Sequence, residues 1–218
     1  MPSTHKASKS VAEKTRLRIL AAAEKVFAQV GYRAMTLREV TKQAGVNLAA
    51  VNYHFGSKTN LMRALLRERF DPINEMRLQM LDEYASRHAP KAIPLEDIYD
   101  ALFRPLFTGS DFSPVEDRML IKIIGRALTE PAEFMSDLHR DLFAELSQRF
   151  ITEIQRACPH LSHEQILYRF FLSVSTMIGT VIEQVRLENI SDGKLSGRKL
   201  DRVLEEMTRF VVAGFRQE

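Results

Sequence analysis

The chain has little reactive chemistry to offer. It contains one cysteine, Cys158, so no internal disulfide forms, which fits a reducing compartment. Cys158 is read as a small buried hydrophobe rather than a reactive thiol. The longest apolar runs look too short to cross a bilayer. The first residues, MPSTHKASKSVAEK, lack the apolar segment of a secretory signal. A cytoplasmic protein with no membrane partner is expected. No nucleophile elbow, phosphate-binding loop or dinucleotide fingerprint is present. His160 and His163 are three apart, but they straddle a helix start with no cysteine pair nearby, so no metal site is expected. Neither catalytic residues nor a cofactor is expected. An enzyme holding its substrate in the helical body is kept as an alternative that nothing in the sequence favours.

Acidic residues are scarce at one end. Residues 1–63 carry 11 Lys/Arg against only Glu13, Glu24 and Glu39, a net charge of +8. The other 155 residues hold 20 bases and 25 acids, so the total of +3 hides a basic head on a mildly acidic body. Such a head suits a polyanion partner.

Strand alternation is missing as well, and helical periodicity runs nearly throughout. Leu17, Ile19, Leu20, Ala23, Val26, Phe27 and Val30 mark one helix face, and Gly31 sits where that helix stops. Thr36 followed by Glu39 reads as a capping box that opens a short helix ending at Gly45. A second short helix fits 48–54, and Ser57 can cap a long one from 58 to about 87. Pro72 lies inside that helix, so a kink or restart is expected near Asp71. Further helices are expected at 95–107, 114–129, 131–157, 162–188 and 196–215. The fold class is all-α. A three-helix head at 1–57, ordered from about residue 11, precedes a helical body at 58–218.

A helix, a glycine turn and a second short helix have helix-turn-helix spacing. Gly45 permits a left-handed backbone at the turn. The second helix would enter the major groove of DNA. Thr36, then Ala44-Gly45-Val46, then Tyr53-His54-Phe55 and Ser57-Lys58 resemble the signature of the TetR family of transcriptional repressors. The resemblance is carried by about residues 12–65. It implies that Thr36, Tyr53, His54 and Lys58 contact the DNA backbone, with Arg38, Lys14, Arg16 and Arg18 as further candidates. Asn47, Leu48, Ala49, Ala50 and Asn52 would lie nearest the bases. Many members have a second aromatic where this chain has Asn52 and a polar residue at Ala50, so no operator can be copied from a relative. With few directional donors, readout of DNA shape takes a larger share.

The same resemblance implies homodimerisation through the last two long helices and a ligand pocket in the body. Apolar faces place Phe170, Phe171, Val174, Ile178, Val181 and Ile182, with Leu200, Val203, Leu204, Met207, Phe210 and Val211, at the interface, and some of these must be ordinary intramolecular core. Phe103, Phe107, Met119, Ile123, Phe134 and Met177 are the pocket candidates, although such stripes are more often plain core. Arg104 and Arg126, set in apolar stretches, either meet an acidic ligand or pair with a nearby carboxylate. The wording GVNLAAVNYHFGSK looks like a subgroup that includes fatty-acid- and acyl-responsive repressors. The expected partners are therefore operator DNA, a second copy of the chain, and a small hydrophobic or amphipathic inducer such as a fatty acid or acyl thioester. A ligand-independent architectural DNA binder is the main alternative.

Overall fold

The computed structural model describes residues 4–107, 118–129, 132–196 and 200–217. Among them there are ten helices and no strand, as the all-α reading requires. They are α1 (Thr4–Ala34), α2 (Leu37–Ala44), α3 (Leu48–Phe55), α4 (Lys58–His88), α5 (Leu95–Phe107), α6 (Arg118–Thr129), α7 (Ala132–Ala157), α8 (His163–Ile182), α9 (Gln184–Ile190) and α10 (Leu200–Phe215). The expected helix starts at 114–117, 131 and 197–199 lie outside the described residues. The chain forms two compact units. The first is Met1–Phe70 with Lys122–Leu138, and the second is Asp71–Ile121 with His139–Glu218.

In the first unit, α1 is interrupted at Gly31, whose φ of 76° and ψ of 176° leave the helix, and one further turn follows. Ile19, Ala23 and Phe27 of α1 are fully buried together with Val40 of α2 and Val51 of α3. Leu17 and Val30, assigned to the same apolar face, lie at its rim, 46% and 42% exposed. Truncating a buried phenylalanine such as Phe27 to alanine costs about 3–5 kcal/mol. The three helices therefore hold one another through a small core. Two arginines tie carbonyls at helix ends. Arg18 donates from Nη2 to the oxygens of Ala44 (2.6 Å) and Gly45 (3.1 Å) at the end of α2. Arg126 of α6 donates to the oxygens of Gln29 (2.6 Å) and Ala28 (3.5 Å), just before the Gly31 break. A cation at a helix C-terminus satisfies orphan carbonyls and opposes the negative end of the dipole.

In the second unit α5 is central. Ile98, Tyr99, Leu102, Phe103, Leu106 and Phe107 are all buried, and α10 packs along it. The Tyr99 ring meets Phe103 and Phe215 at centroid distances of 5.3 and 5.5 Å. Its hydroxyl accepts from Ser173 of α8 at 3.2 Å. Burial pushes the Tyr99 phenol well above its usual pKa. Cys158 is buried, as expected, and desolvation raises its thiol pKa.

Three expectations need correction. Of the kink or restart expected near Asp71, the restart does not occur, since α4 runs through Pro72. Glu68 and Pro72 are both exposed, so the carbonyl that proline leaves without a donor faces water. The helix expected over 162–188 is broken at Glu183 (φ −100°, ψ 26°), and α9 follows. No glycine or proline in the sequence announces that break. Finally, α8 is long and apolar enough, by length and composition, to cross a membrane. Its apolarity is divided between two faces. Ile166, Phe170, Met177 and Val181 point into the chain, while Leu167, Tyr168, Phe171 and Leu172 point out.

Candidate nucleic-acid interface

The turn between α2 and α3 is built from local chemistry. The Thr36 side chain accepts from the Glu39 N–H (3.2 Å), and Glu39 Oε2 accepts from the Thr36 N–H (3.0 Å) and hydroxyl (2.8 Å). These hydrogen bonds, first from the Thr36 hydroxyl and then from its backbone, hold the Glu39 carboxyl below its usual pKa. The proton that Thr36 would offer a phosphate is thus engaged by Glu39 in the free protein. α2 ends at Gly45 in the left-handed region (φ 62°, ψ 41°), and the Val46 N–H reaches back to the Thr41 oxygen at 3.1 Å.

Asn47 then caps α3, its Oδ1 accepting from the Ala50 N–H at 2.9 Å. This role was not anticipated, although asparagine just before an apolar helix start is the signal for it. Its amide NH2 stays available for a base edge. Val51 and Phe55 are buried, which turns the opposite side of α3 outward. Leu48, Ala49 and Asn52 are exposed, Ala50 is half-buried and Tyr53 is 82% exposed. An exposed tyrosine next to apolar, small and amide side chains is a surface shaped for contact, not for reaction.

The flanks are polar and basic. His54 is half-buried between Tyr53 (5.1 Å between ring centroids) and Phe55 (6.1 Å). Ser57 caps α4 by accepting from the Asn60 N–H at 3.1 Å, as expected. At that helix start, the Lys58 ammonium lies 4.3 Å from the centre of the Tyr32 ring, which steadies it. Arg38 and Lys42 are exposed one turn apart on α2. Of the α1 candidates, Lys14 is exposed, Arg16 pairs with Glu13 (3.4 Å) and Glu68 (3.6 Å), and Arg18 fastens the turn. The head thus gathers Thr36, Arg38, Asn47–Tyr53, His54 and Lys58 within the first unit, on and beside α2 and α3.

The expected ligand residues are not gathered in one unit. Phe103, Phe107 and Met177 are buried in the second unit, and Met119 is half-buried there. Ile123 is fully buried in the first unit. The side chain of Phe134 lies outside the described residues. Arg104 is exposed and bidentate on Asp100 (Nη2–Oδ1 2.6 Å, Nε–Oδ2 3.0 Å), the ion-pair outcome of the two expected. That partner raises its pKa. Arg126 is engaged by the end of α1. Among the described residues the buried cation is Arg77 of α4, 4% exposed. Its signal was its register, midway between Ile73 and Leu81 at four-residue steps, both buried.

The residues expected at the dimer face divide between core and surface. Phe170, Val181, Leu204, Met207 and Val211 are buried in the chain's own core, and Val174, Ile178, Leu200 and Val203 are half-buried. Phe210 is 71% exposed, and on α8 the outward residues are Leu167, Tyr168, Phe171 and Leu172. The apolar positions on each helix exceed what one core can take, so part of the expected set is intramolecular core while Phe171 and Phe210 stay exposed.

The fold and this turn define a helix-turn-helix protein with a separate helical body. Family comparison agrees: the model for bacterial regulatory proteins of the tetR family matches residues 19–65, and that for the tetracyclin repressor-like C-terminal domain matches 100–214, more than half of the chain. The chain belongs to the TetR family of DNA-binding transcriptional regulators, generally repressors and not enzymes. It is 40% identical over 62 residues to the regulator SrpR of Pseudomonas putida, covering 28% of this chain and 29% of that one. It is 40% identical over 73 residues to the repressor BepR of Brucella suis, covering 33% of this chain and 34% of that one. The matches thus span about a third or less of these relatives' length. Among solved structures it is similar to the fatty acid degradation regulator FadR of Bacillus halodurans (TM-score 0.64, 16% identity, 94% and 97% of the two chains). It is also similar to FadR of Bacillus subtilis in complex with stearoyl-CoA (TM-score 0.62, 16%, 91% and 98%) and to a SmeT–triclosan complex (TM-score 0.60, 18%, 89% of each). At these identities the structural likeness concerns the fold.

Proposed function

We propose that this chain is a dimeric, cytoplasmic, one-component repressor that binds a near-palindromic operator and leaves it when a small hydrophobic or amphipathic molecule occupies the helical body. The observation that carries the DNA reading is the outward face of α3, where Leu48, Ala49, Asn52 and Tyr53 are exposed beside the basic Arg38 and Lys42 of α2. In it, Asn47 and Asn52 read base edges while Thr36, Tyr53, His54 and Lys58 hold phosphates. Two heads are needed to reach successive major grooves, and the apolar strip of Leu167, Tyr168, Phe171 and Leu172, with Phe210, supplies the surface for a second copy. The inducer class includes fatty acids and acyl thioesters. The FadR relatives, one solved with stearoyl-CoA, support that class as an analogy of fold. Inducer releases DNA only by binding better to the form whose heads no longer match the half-site spacing.

The test is selection from a random DNA pool with the purified protein. An enriched inverted repeat is expected, and it supplies the probe for scoring release by candidate inducers. Salt-sensitive binding without an enriched motif would establish the architectural alternative instead.

A further inference from the structure

We propose that Arg77 is the counter-charge for a small anionic group, a carboxylate, carried at the end of an apolar ligand held in the second unit. This rests on the reading above that the helical body is the inducer site.

Arg77 lies on α4 and is 4% exposed. Its Nε donates to the Leu102 oxygen of α5 (2.8 Å), Nη1 to Asn74 Oδ1 (3.1 Å) and Nη2 to Met177 Sδ of α8 (3.4 Å). All three acceptors are neutral. Among the described residues no carboxylate pairs with it. A guanidinium has five N–H donors, so two remain without an acceptor there. A buried charge is ordinarily paired with an opposite one, because water is no longer available to solvate it. Desolvation lowers the Arg77 pKa only to about 10, so the group is still a cation at neutral pH.

The surroundings also orient it. Asn74 is itself buried and anchored, its Nδ2 donating to the Leu142 oxygen of α7 at 3.1 Å, which turns Oδ1 toward Arg77. The weakest acceptor is the Met177 sulfur, on a flexible side chain that can swing aside. A carboxylate replacing it would gain a charge-assisted, forked pair across Nη1 and Nη2. One guanidinium with two donors to spare matches a single small anionic group rather than a multiply charged head. Buried Phe103 on α5 and Met177 itself make the adjoining interior apolar, which fits an alkyl or aryl body on the acid.

The experiment is calorimetric titration of the full-length protein with dodecanoate and with dodecanol, below their aggregation limits, for wild type, Arg77→Met and Arg77→Lys. Wild type is expected to bind the acid at least tenfold more tightly than the alcohol, the worth of one charge-assisted hydrogen bond. Arg77→Met should erase that ratio and Arg77→Lys keep part of it. Equal binding of acid and alcohol by wild type overturns the proposal, as does an unchanged ratio in Arg77→Met. If Arg77→Met does not fold, the wild-type ratio and the Lys variant decide. Operator release is scored separately. Arg77-dependent acid binding without release would leave this inference standing and end the inducer reading. Release by acid and alcohol alike would do the reverse.

Discussion

Replacing Gly45 with alanine tests how the reading helix is held. Gly45 adopts φ 62°, ψ 41°, a conformation that costs a residue with a Cβ about 1–2 kcal/mol. The added Cβ would stand 2.9 Å from Arg18 Nη2, closer than such atoms approach, so the end of this flexible side chain must shift. That shift weakens the bonds to the Ala44 and Gly45 oxygens, now at 2.6 and 3.1 Å. Bonds from a charged donor are worth about 1.5–3 kcal/mol when shielded, but Arg18 is exposed, so about 1 kcal/mol is the appropriate figure. Together Gly45→Ala should cost about 1–3 kcal/mol, against about 1 kcal/mol for Arg18→Met alone. The double variant should cost less than the sum by up to about 1 kcal/mol, because alanine has already moved the arginine. Urea unfolding of the four proteins, followed by circular dichroism and checked for a single transition, measures this cycle. Strict additivity, or a Gly45→Ala protein within about 0.5 kcal/mol of wild type, would refute the role given to Arg18.

Asn47→Ala should lose about 1 kcal/mol through the missing α3 cap, whereas Asn47→Ser keeps the cap and should change base preference at one operator position; an unaltered selected motif removes Asn47 as a reader. Glu39→Gln preserves the capping geometry but not the titration. Because the folded Glu39 pKa lies below its unfolded value, the stability it adds is present above the unfolded pKa and lost as pH falls through the folded one. The gap between wild type and Glu39→Gln should therefore shrink between pH 7 and pH 3, and an equal gap at both counts against the carboxylate's role. Tyr53→Phe and Lys58→Ala should weaken binding alike for operator and unrelated DNA, and Lys58→Ala should lower the salt slope by about one; a loss confined to the operator contradicts phosphate contact. Phe171→Glu should leave the chain folded but monomeric by sedimentation, and a persistent dimer would move the interface off this face of α8.

What the sequence reveals of this protein follows the range of the interactions concerned. The Thr36–Glu39 box, the Ser57 cap and the left-handed Gly45 each join residues at most four apart, so spacing alone identifies them. The tie from Arg18 to the same turn crosses 26 residues and leaves no trace in local pattern. On α8 the obstacle is different. Phe170 is 9% exposed and its neighbour Phe171 is 65% exposed, although the two are chemically identical. Periodicity finds that the helix has more apolar surface than one core can bury, but it does not say which strip the chain itself covers. Only the partners α5 and α10 decide that, by packing on the side of Ile166, Phe170, Ser173 and Met177. Arg77 combines both difficulties. Its register between Ile73 and Leu81 points it inward, but two of its acceptors lie 25 and 100 residues away on α5 and α8 and leave no local trace. The head therefore rests on local code that a single sequence displays, whereas the body's specificity is written in contacts between helices distant in the chain. Its ligand chemistry consequently has to be argued from burial and charge.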